Sequence, residues 1–212
     1  MDRLPLSVNK SNLLRLKEEI RFAQDGRELL GEKKEALLGH ISALSSRAER
    51  VRGDLNLKLQ AAYRRLREGI LIHGLPACER AALAPKAEEA VEIKDKSFMG
   101  VTLPLVRIIL PDFLPAFGFH ETGASLDSVA KRIQESMETV AELAEIEVGL
   151  FRLVREIKKT IKRIKALENV YLPRYEATIK HMEESLEEKE REALFQLKRQ
   201  KKRRGEAPFG SL

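Results

Sequence analysis

Two long stretches of this chain carry apolar residues at alternating gaps of three and four, and that spacing leaves few folds open. In the first, Leu13, Leu16, Ile20, Ala23, Leu30, Leu37, Ile41, Leu44, Ala48, Val51 and Leu55 fit one register, with Arg27 and Lys34 at its two polar places. The pattern continues more loosely through Ala62, Leu66 and Ile70. In the second, Leu126, Val129, Ile133, Met137, Val140 and Ala144 carry the seam, Leu150, Val154, Ile157, Ile161 and Ile164 alternate by four and three, and the seam resumes at Tyr175, Ile179, Met182 and Leu186. A stripe this narrow is the seam of a coiled coil, whereas a helix lying on a globular core shows a broader one. A seam needs a partner helix of similar length, and the chain supplies one. The simplest arrangement is an intramolecular antiparallel pair. Setting Ile72 against Leu126 brings Leu44 near Val154 and Asn12 near Leu186, so the C-terminal helix outruns the N-terminal one.

The breaks in the pattern set the domain boundaries. Pro5 makes the first stretch irregular, and Ser11 or Asn12 can cap the first helix because their side-chain oxygens accept from orphan amides. His73-Gly74-Leu75-Pro76 ends that helix, and Ala84-Pro85 is a second break. Between Glu89 and Leu110 the chain turns rich in Val, Ile and Thr, which predicts two strands joined through Lys96–Gly100. Pro104 has no amide for a ladder, so its strand belongs at an edge. The loop after Leu110 carries Phe113, Phe117 and Phe119, either as packing beneath the helices or as a docking surface. Ser125 or Asp127 caps the second helix, and Pro173 predicts a kink or break near Val170. Gly26, Gly31 and Gly39 fall inside the first helix, marking either close approach of a neighbour or local flexibility. The predicted fold is mainly α: a long antiparallel two-helix coiled coil with a small β-hairpin-containing insertion. Its parts are an irregular terminus over 1–11, a helix over 12–72, the insertion over 73–125, a helix over 126–204 and a tail over 205–212.

Composition agrees with a narrow core. The chain has 212 residues, no Trp, 5% aromatic and 34% charged residues, too few large apolar groups for a thick interior. Its one cysteine, Cys78, excludes an intrachain disulfide and points to a reducing compartment. No stretch approaches the ~20 uninterrupted apolar residues of a membrane span, and the N-terminus lacks the apolar run of a secretory signal.

Catalytic chemistry finds no footing. His40, His73, His120 and His181 match no metal-ligand spacing, and His40 and His181 read as surface residues. There is no GxxxxGK[ST] phosphate cradle. The acids between Glu183 and Glu192 sit on a solvated helix face, with pairs such as Glu187–Arg191. Two basic clusters stand out. Lys158, Lys159, Lys162, Arg163 and Lys165 flank the seam residues Val154, Ile157, Ile161 and Ile164 and point outward; Lys198, Arg199, Lys201 and Lys202 crowd the C-terminal end. Without interleaved aromatics or a binding fold, such runs do not specify nucleic acid. They suit an acidic collar around the helices.

The motifs go further. SNLLRLKEEIRFAQDGRELLGEKKEALL carries Leu16, Lys17, Ala23, Gly26, Leu29, Leu30, Lys33 and Leu37. EIKKTIKRIKALENVYLPRYEATIKHMEESLEEKERE carries Lys159, Thr160, Arg163, Ala166, Leu167, Glu168, Pro173, Leu186, Glu187, Glu188, Glu190 and Arg191. These residues, with FMGVTLPLV between them, resemble the opening, closing and hairpin motifs of the D subunits of V-type and A-type rotary ATPases. The resemblance implies a central-stalk rotor subunit, itself non-catalytic and without a cofactor. It implies A and B catalytic subunits as a surrounding ring. It also implies the small F subunit and the subunit capping the membrane rotor as partners at the insertion end. The location implied is the cytoplasm, peripheral to a membrane. Within it, the two basic clusters are the expected ring contacts, and Leu16, Ile20, Leu37, Ile41, Leu44 and Val51 face the second-helix seam. A coiled-coil adaptor unconnected with rotary motors, or a coiled coil binding nucleic acid through its basic end, are the other classes open to such a chain.

Overall fold

The computed structural model describes residues 4–83, 90–111 and 123–205. The chain is mainly α, with long N- and C-terminal helices separated by a two-stranded antiparallel sheet. Its elements are α1 (Lys10–His73), α2 (Leu75–Ala82), β1 (Ala90–Phe98), β2 (Val101–Ile109), α3 (Ala124–Ala166), a π-helical turn (Leu167–Tyr171) and α4 (Leu172–Gly205). Two compact units divide it, one of Met1–Lys34 with Lys159–Leu212 and one of Glu35–Lys158.

In the first unit, the opening of α1 lies antiparallel to α4. Helix α1 begins two residues before the expected Asn12, and its cap is Asn9. The Asn9 carbonyl accepts the first ladder bond from Leu13, and its Oδ1 accepts from the Asn12 amide at 2.6 Å. Asn12 instead turns its side-chain amide back to the Ser7 carbonyl at 2.9 Å. Leu16 and Met182 are each 1% exposed and anchor the interior of this unit. Lys10, Lys17 and Arg27 reach Glu190, Glu183 and Glu168 respectively, which fixes the antiparallel direction. The segment before α1 is tied down as well: the Leu4 amide donates to Thr178 Oγ1 at 3.1 Å, and the Thr178 hydroxyl donates to the Arg174 carbonyl.

Pro173 does not break the helix. It lacks an amide and its ring crowds the carbonyl one turn back. The turn in front of it is π-helical, with the Leu172 amide bonding the Leu167 carbonyl five residues earlier. That wider turn makes room for the ring and keeps the backbone ladder running into α4.

In the second unit, the rest of α1 lies antiparallel to α3, with Arg47 bonded to Glu142, Arg52 to Glu147 and Lys58 to the Thr139 hydroxyl. Leu37, Ala48 and Ala62 of α1 are buried, as are Val129, Ala141, Ile146, Leu153 and Ile157 of α3. The interior of α3 departs from the apolar register. Ile133, Val140 and Val154 are 45%, 38% and 39% exposed, while Ser136, Thr139 and Leu153 are buried. Val154 is therefore not a seam residue; Leu153 takes that place. Short hydroxyl side chains cost little to bury when they bond their own helix, as Ser136 does to the Ile133 carbonyl.

Helix α2 was not legible as a helix among the expected breaks. Gly74 takes a φ of 80° and Pro76 stands in the first turn, where its missing amide is no loss. The helix closes over Leu126 with Cys78 and Ala81, and Leu66 and Ile70 pack against them. Neither Ser125 nor Asp127 caps α3: Ser125 Oγ and Asp127 Oδ1 have no hydrogen-bond partner, and the Leu126 amide bonds the Gly123 carbonyl instead. Gly123 holds that place because a Cβ there would stand 2.9 Å from His73 Nε2.

The hairpin is longer and its turn tighter than expected. Met99 and Gly100 have φ of 49° and 79°, the pair of left-handed residues that a two-residue turn of matching twist requires. Such a turn makes Phe98 and Val101 a hydrogen-bonded pair, and bonded pairs then recur at every second residue. Pro104 faces Asp95 at a non-bonded place, so its ring nitrogen points away from β1 and the ladder is intact. This outer edge of β2 meets α3. The Val106 amide donates to Glu145 Oε2 at 3.0 Å, and Arg152 Nη1 donates to the Thr102 carbonyl at 2.9 Å. His40, expected at the surface, is half-buried and stacks on Phe98 with centroids 4.2 Å apart. Phe113, Phe117, Phe119 and His120, and the break at Ala84-Pro85, lie outside the described residues.

A Cβ at Gly26, Gly31 or Gly39 would meet nothing within 4 Å, so close approach of a neighbour does not explain them. Gly31→Ala and Gly39→Ala are each expected to stabilise the isolated chain by about 1 kcal/mol; urea midpoints that fail to rise would contradict this. The Lys10–Glu190 pair, 2.6 Å apart, gives a second test. Its hydrogen bond, and then its charge attraction, raise the Lys10 amine above its ordinary range and hold the Glu190 carboxyl below the ordinary carboxylate range. The lysine's contribution is present below its ordinary pKa and fades as pH rises through the raised value. The carboxylate's is present above its ordinary pKa and fades as pH falls through the lowered value. The pair therefore steadies the first turn of α1 across the neutral range and is lost at both extremes. A carboxyl NMR titration should show Glu190 titrating low, with Lys10→Gln returning it to the ordinary range.

Candidate interaction surface

The charges of the helices separate into those already neutralised and those left over. Lys10, Lys17 and Arg27 meet acids within the first unit, and Arg47 and Arg52 meet acids within the second. Arg191 lies 3.6 Å from Glu187. The bases near the junction of α3 and the π turn are different. Lys158, which closes the second unit, and Lys159, Lys162, Arg163 and Lys165, which open the other, are all exposed. Among the described residues, Lys158, Lys162, Arg163 and Lys165 make no ion pair. Local sequence explains the excess: between Glu156 and Glu168 there is no acid at all. Helical spacing explains the direction, since Ile157 and Thr160 are buried and hold the inner face.

The end of α4 carries the second cluster. Lys10, the first residue of α1, meets Glu190, and α4 runs on to Gly205. Every residue from Glu187 to Lys202 is exposed. Leu194, Phe195 and Leu197 are 59%, 69% and 61% exposed, and Lys198, Arg199, Lys201 and Lys202 follow without an ion pair among the described residues. Leu194, Leu197, Lys198 and Lys201 share one face at helical spacing, so the same strip is apolar first and basic after. A lone helix of this kind is marginal in water and is stabilised by a sheath.

Of the seam residues, Leu16, Leu37 and Ile157 are buried, Ile20, Ile41, Leu44, Val51, Ile161 and Ile164 are half-buried, and Val154 is exposed. Two apolar surfaces were missed by the seam rule. On α3, Ile133, Val140, Phe151 and Val154 leave an exposed stripe, with Phe151 at 70%. At the α1–α2 corner, Leu71, Ile72, Leu75 and Leu83 are all exposed. The first could have been found from the hydroxyl residues, because each Ser or Thr taken inward displaces a neighbouring apolar residue outward. The second carried no periodic signal.

Among the described residues no group of His, Cys, Asp and Glu could hold a metal ion, and no helix is long and apolar enough to cross a membrane. Unpaired charge and exposed apolar strips on otherwise paired helices are recognition features.

Comparison with known proteins meets the same elements. The family of ATP synthase D subunits matches residues 12–202. The chain is 37% identical over 196 residues to the A-type ATP synthase D subunit of Methanosphaera stadtmanae, covering 91% of this chain and 92% of the relative. It is 34% identical over 201 residues to the A-type ATP synthase D subunit of Thermococcus sibiricus, covering 93% and 94%. It is 34% identical over 200 residues to the V-type ATP synthase D subunit of Thermotoga neapolitana, covering 94% and 98%. With paired helices, hairpin and motifs all inside the matched span, the chain belongs to the family of ATP synthase D subunits.

Proposed function

We propose that this chain is the central rotor axle of an A-type or V-type rotary ATPase. It turns within a ring of A and B catalytic subunits and carries torque between ATP chemistry there and ion translocation at the membrane. It makes and breaks no bond itself. The observation that carries this reading is the unneutralised charge. Several bases of α1 meet acids on the facing helix, while Lys158, Lys162, Arg163 and Lys165 gather in one acid-free run with no ion pair among the described residues. Exposed charge of one sign seeks its complement on another chain and sets orientation and encounter more than raw affinity. For an axle that must turn, this suits better than a large apolar contact, because an ionic contact is made and released without desolvating a packed core.

The other surfaces fit the remaining partners. The exposed Ile133, Val140, Phe151 and Val154 stripe offers a third helix a seam of its own, which suits the small F subunit. The exposed Leu71, Ile72, Leu75 and Leu83 corner suits the subunit that caps the membrane ring. Contact with the membrane then runs through partners, in a complex peripheral to it on the cytoplasmic side. The free end of α4, apolar at Leu194 and Leu197 and basic beyond, lies in the sleeve of the ring.

Replacing Lys158, Lys162, Arg163 and Lys165 together by Gln is expected to weaken assembly with the ring by about tenfold or more, since each close charge pair contributes on the order of 1 kcal/mol. Ions moved per ATP hydrolysed should fall as well. Unchanged coupling in the reconstituted complex would contradict the axle reading and leave a passive scaffold. Truncation after Arg191 removes the free end of α4 and leaves the Lys10–Glu190 pair intact. Ring affinity should drop while the F subunit still binds, and normal ring affinity would remove the end of α4 from the sleeve.

A further inference from the structure

The hairpin presents one edge that α3 meets and one edge that is open among the described residues. Two outward groups of β2 are met by α3: the Val106 amide donates to Glu145, and the Thr102 carbonyl accepts from Arg152. The same alternation fixes what β1 does. Ala90, Glu92, Lys94, Lys96 and Phe98 pair inward with β2, so Val91, Ile93, Asp95 and Ser97 turn their amides and carbonyls outward. Every residue from Ala90 to Ser97 is exposed. An unpaired edge of this length is a template for another strand, and proteins that do not use such an edge cover or break it.

The side chains specify what would fit. Val91 and Ile93 stand on one face, 54% and 66% exposed, with their cross-strand partners Ile108 and Val106 beside them. The other face carries Lys94, Lys96 and Arg107 against one acid, Glu92, which lies 3.8 Å from Lys94. A strand laid along β1 puts alternate side chains over these two faces. We propose that β1 is a strand-addition site for an extended segment of a partner protein in which acidic and apolar residues alternate. Apolar residues of that segment lie beside Val91 and Ile93, and its carboxylates lie beside Lys94 and Lys96. The lysines also disfavour a second copy, whose own lysines they would meet. The site is separate from the basic clusters of α3 and α4 and does not depend on the axle reading.

Amide hydrogen exchange on the full chain tests this residue by residue. The probe is a short end-blocked peptide of alternating valine and glutamate, and the control alternates valine and lysine. In the free chain, the amides of Val91, Ile93, Asp95 and Ser97 should exchange fast, and those of Lys94 and Lys96 slowly. Saturating acidic peptide should slow the four outward amides by about tenfold or more, a level that marks formation of a persistent hydrogen bond. The lysine peptide should leave them unchanged. Ile93→Pro removes an outward donor from a place equivalent to that of Pro104 and should abolish the protection while the inward amides stay protected. If that variant loses the hairpin, Lys94→Glu with Lys96→Glu is the alternative, and it should switch preference to the lysine peptide. Absence of protection by the acidic peptide, or equal protection by both peptides, would overturn the proposal. Protection without peptide that grows with chain concentration would give the edge to a second copy and overturn it too.

Discussion

Each unit is held by one apolar seam between antiparallel helices, and the placement of every other feature follows from it. Leu16 and Met182 in one unit, and Leu37, Ile146 and Leu153 in the other, are almost wholly withdrawn from water. Burial of such a side chain contributes roughly 2 kcal/mol, and a narrow seam offers few of them. The flanking charges are therefore not incidental. Where a base on α1 faces an acid on α3 or α4, the pair adds direction to a seam that apolar contact alone would allow to slide. Because the seam fixes which face is inner, it also fixes which bases are left outside. No acid lies between Lys158 and Lys165, so helix geometry alone delivers Lys158, Lys162, Arg163 and Lys165 outward with no ion pair among the described residues.

Continuity of the backbone is the second requirement for a chain that carries torque. Helix α1 runs unbroken from Lys10 to His73. The C-terminal side contains a proline that should interrupt it. The π turn at Leu167–Tyr171 resolves the conflict by shifting one bond to five-residue spacing, so that the ladder enters α4 without a gap. Local irregularity here preserves a mechanical property, and it also widens the helix beside Phe22, Tyr171 and Tyr175, which line a groove in that unit.

The antiparallel helices, the hairpin and the outward bases were all legible in the sequence. Period and β-branched composition are local signals that tertiary structure had no reason to override. What was not legible depended on hydrogen bonds that residue type does not announce. Ser136 and Thr178 are buried although polar, because hydroxyls bonded to their own helix pack inward at little cost, and Val154 is exposed although apolar. Asn9 caps α1 in place of the residues nearer the seam, since capping is decided by backbone geometry at one residue. Helix α2 is too short for periodicity to register. The open edge of β1 became visible only once the two-residue turn had fixed which amides face inward.

Rotation itself is the most direct test of the axle role. The catalytic ring of a reconstituted complex would be fixed to a surface, and a bead attached to this chain at the α1–α2 corner, away from the ring contacts. Addition of ATP should drive stepwise rotation of the bead in one direction, at a rate that follows hydrolysis. A bead that stays still, or only fluctuates, while the ring hydrolyses ATP at its full rate would contradict it.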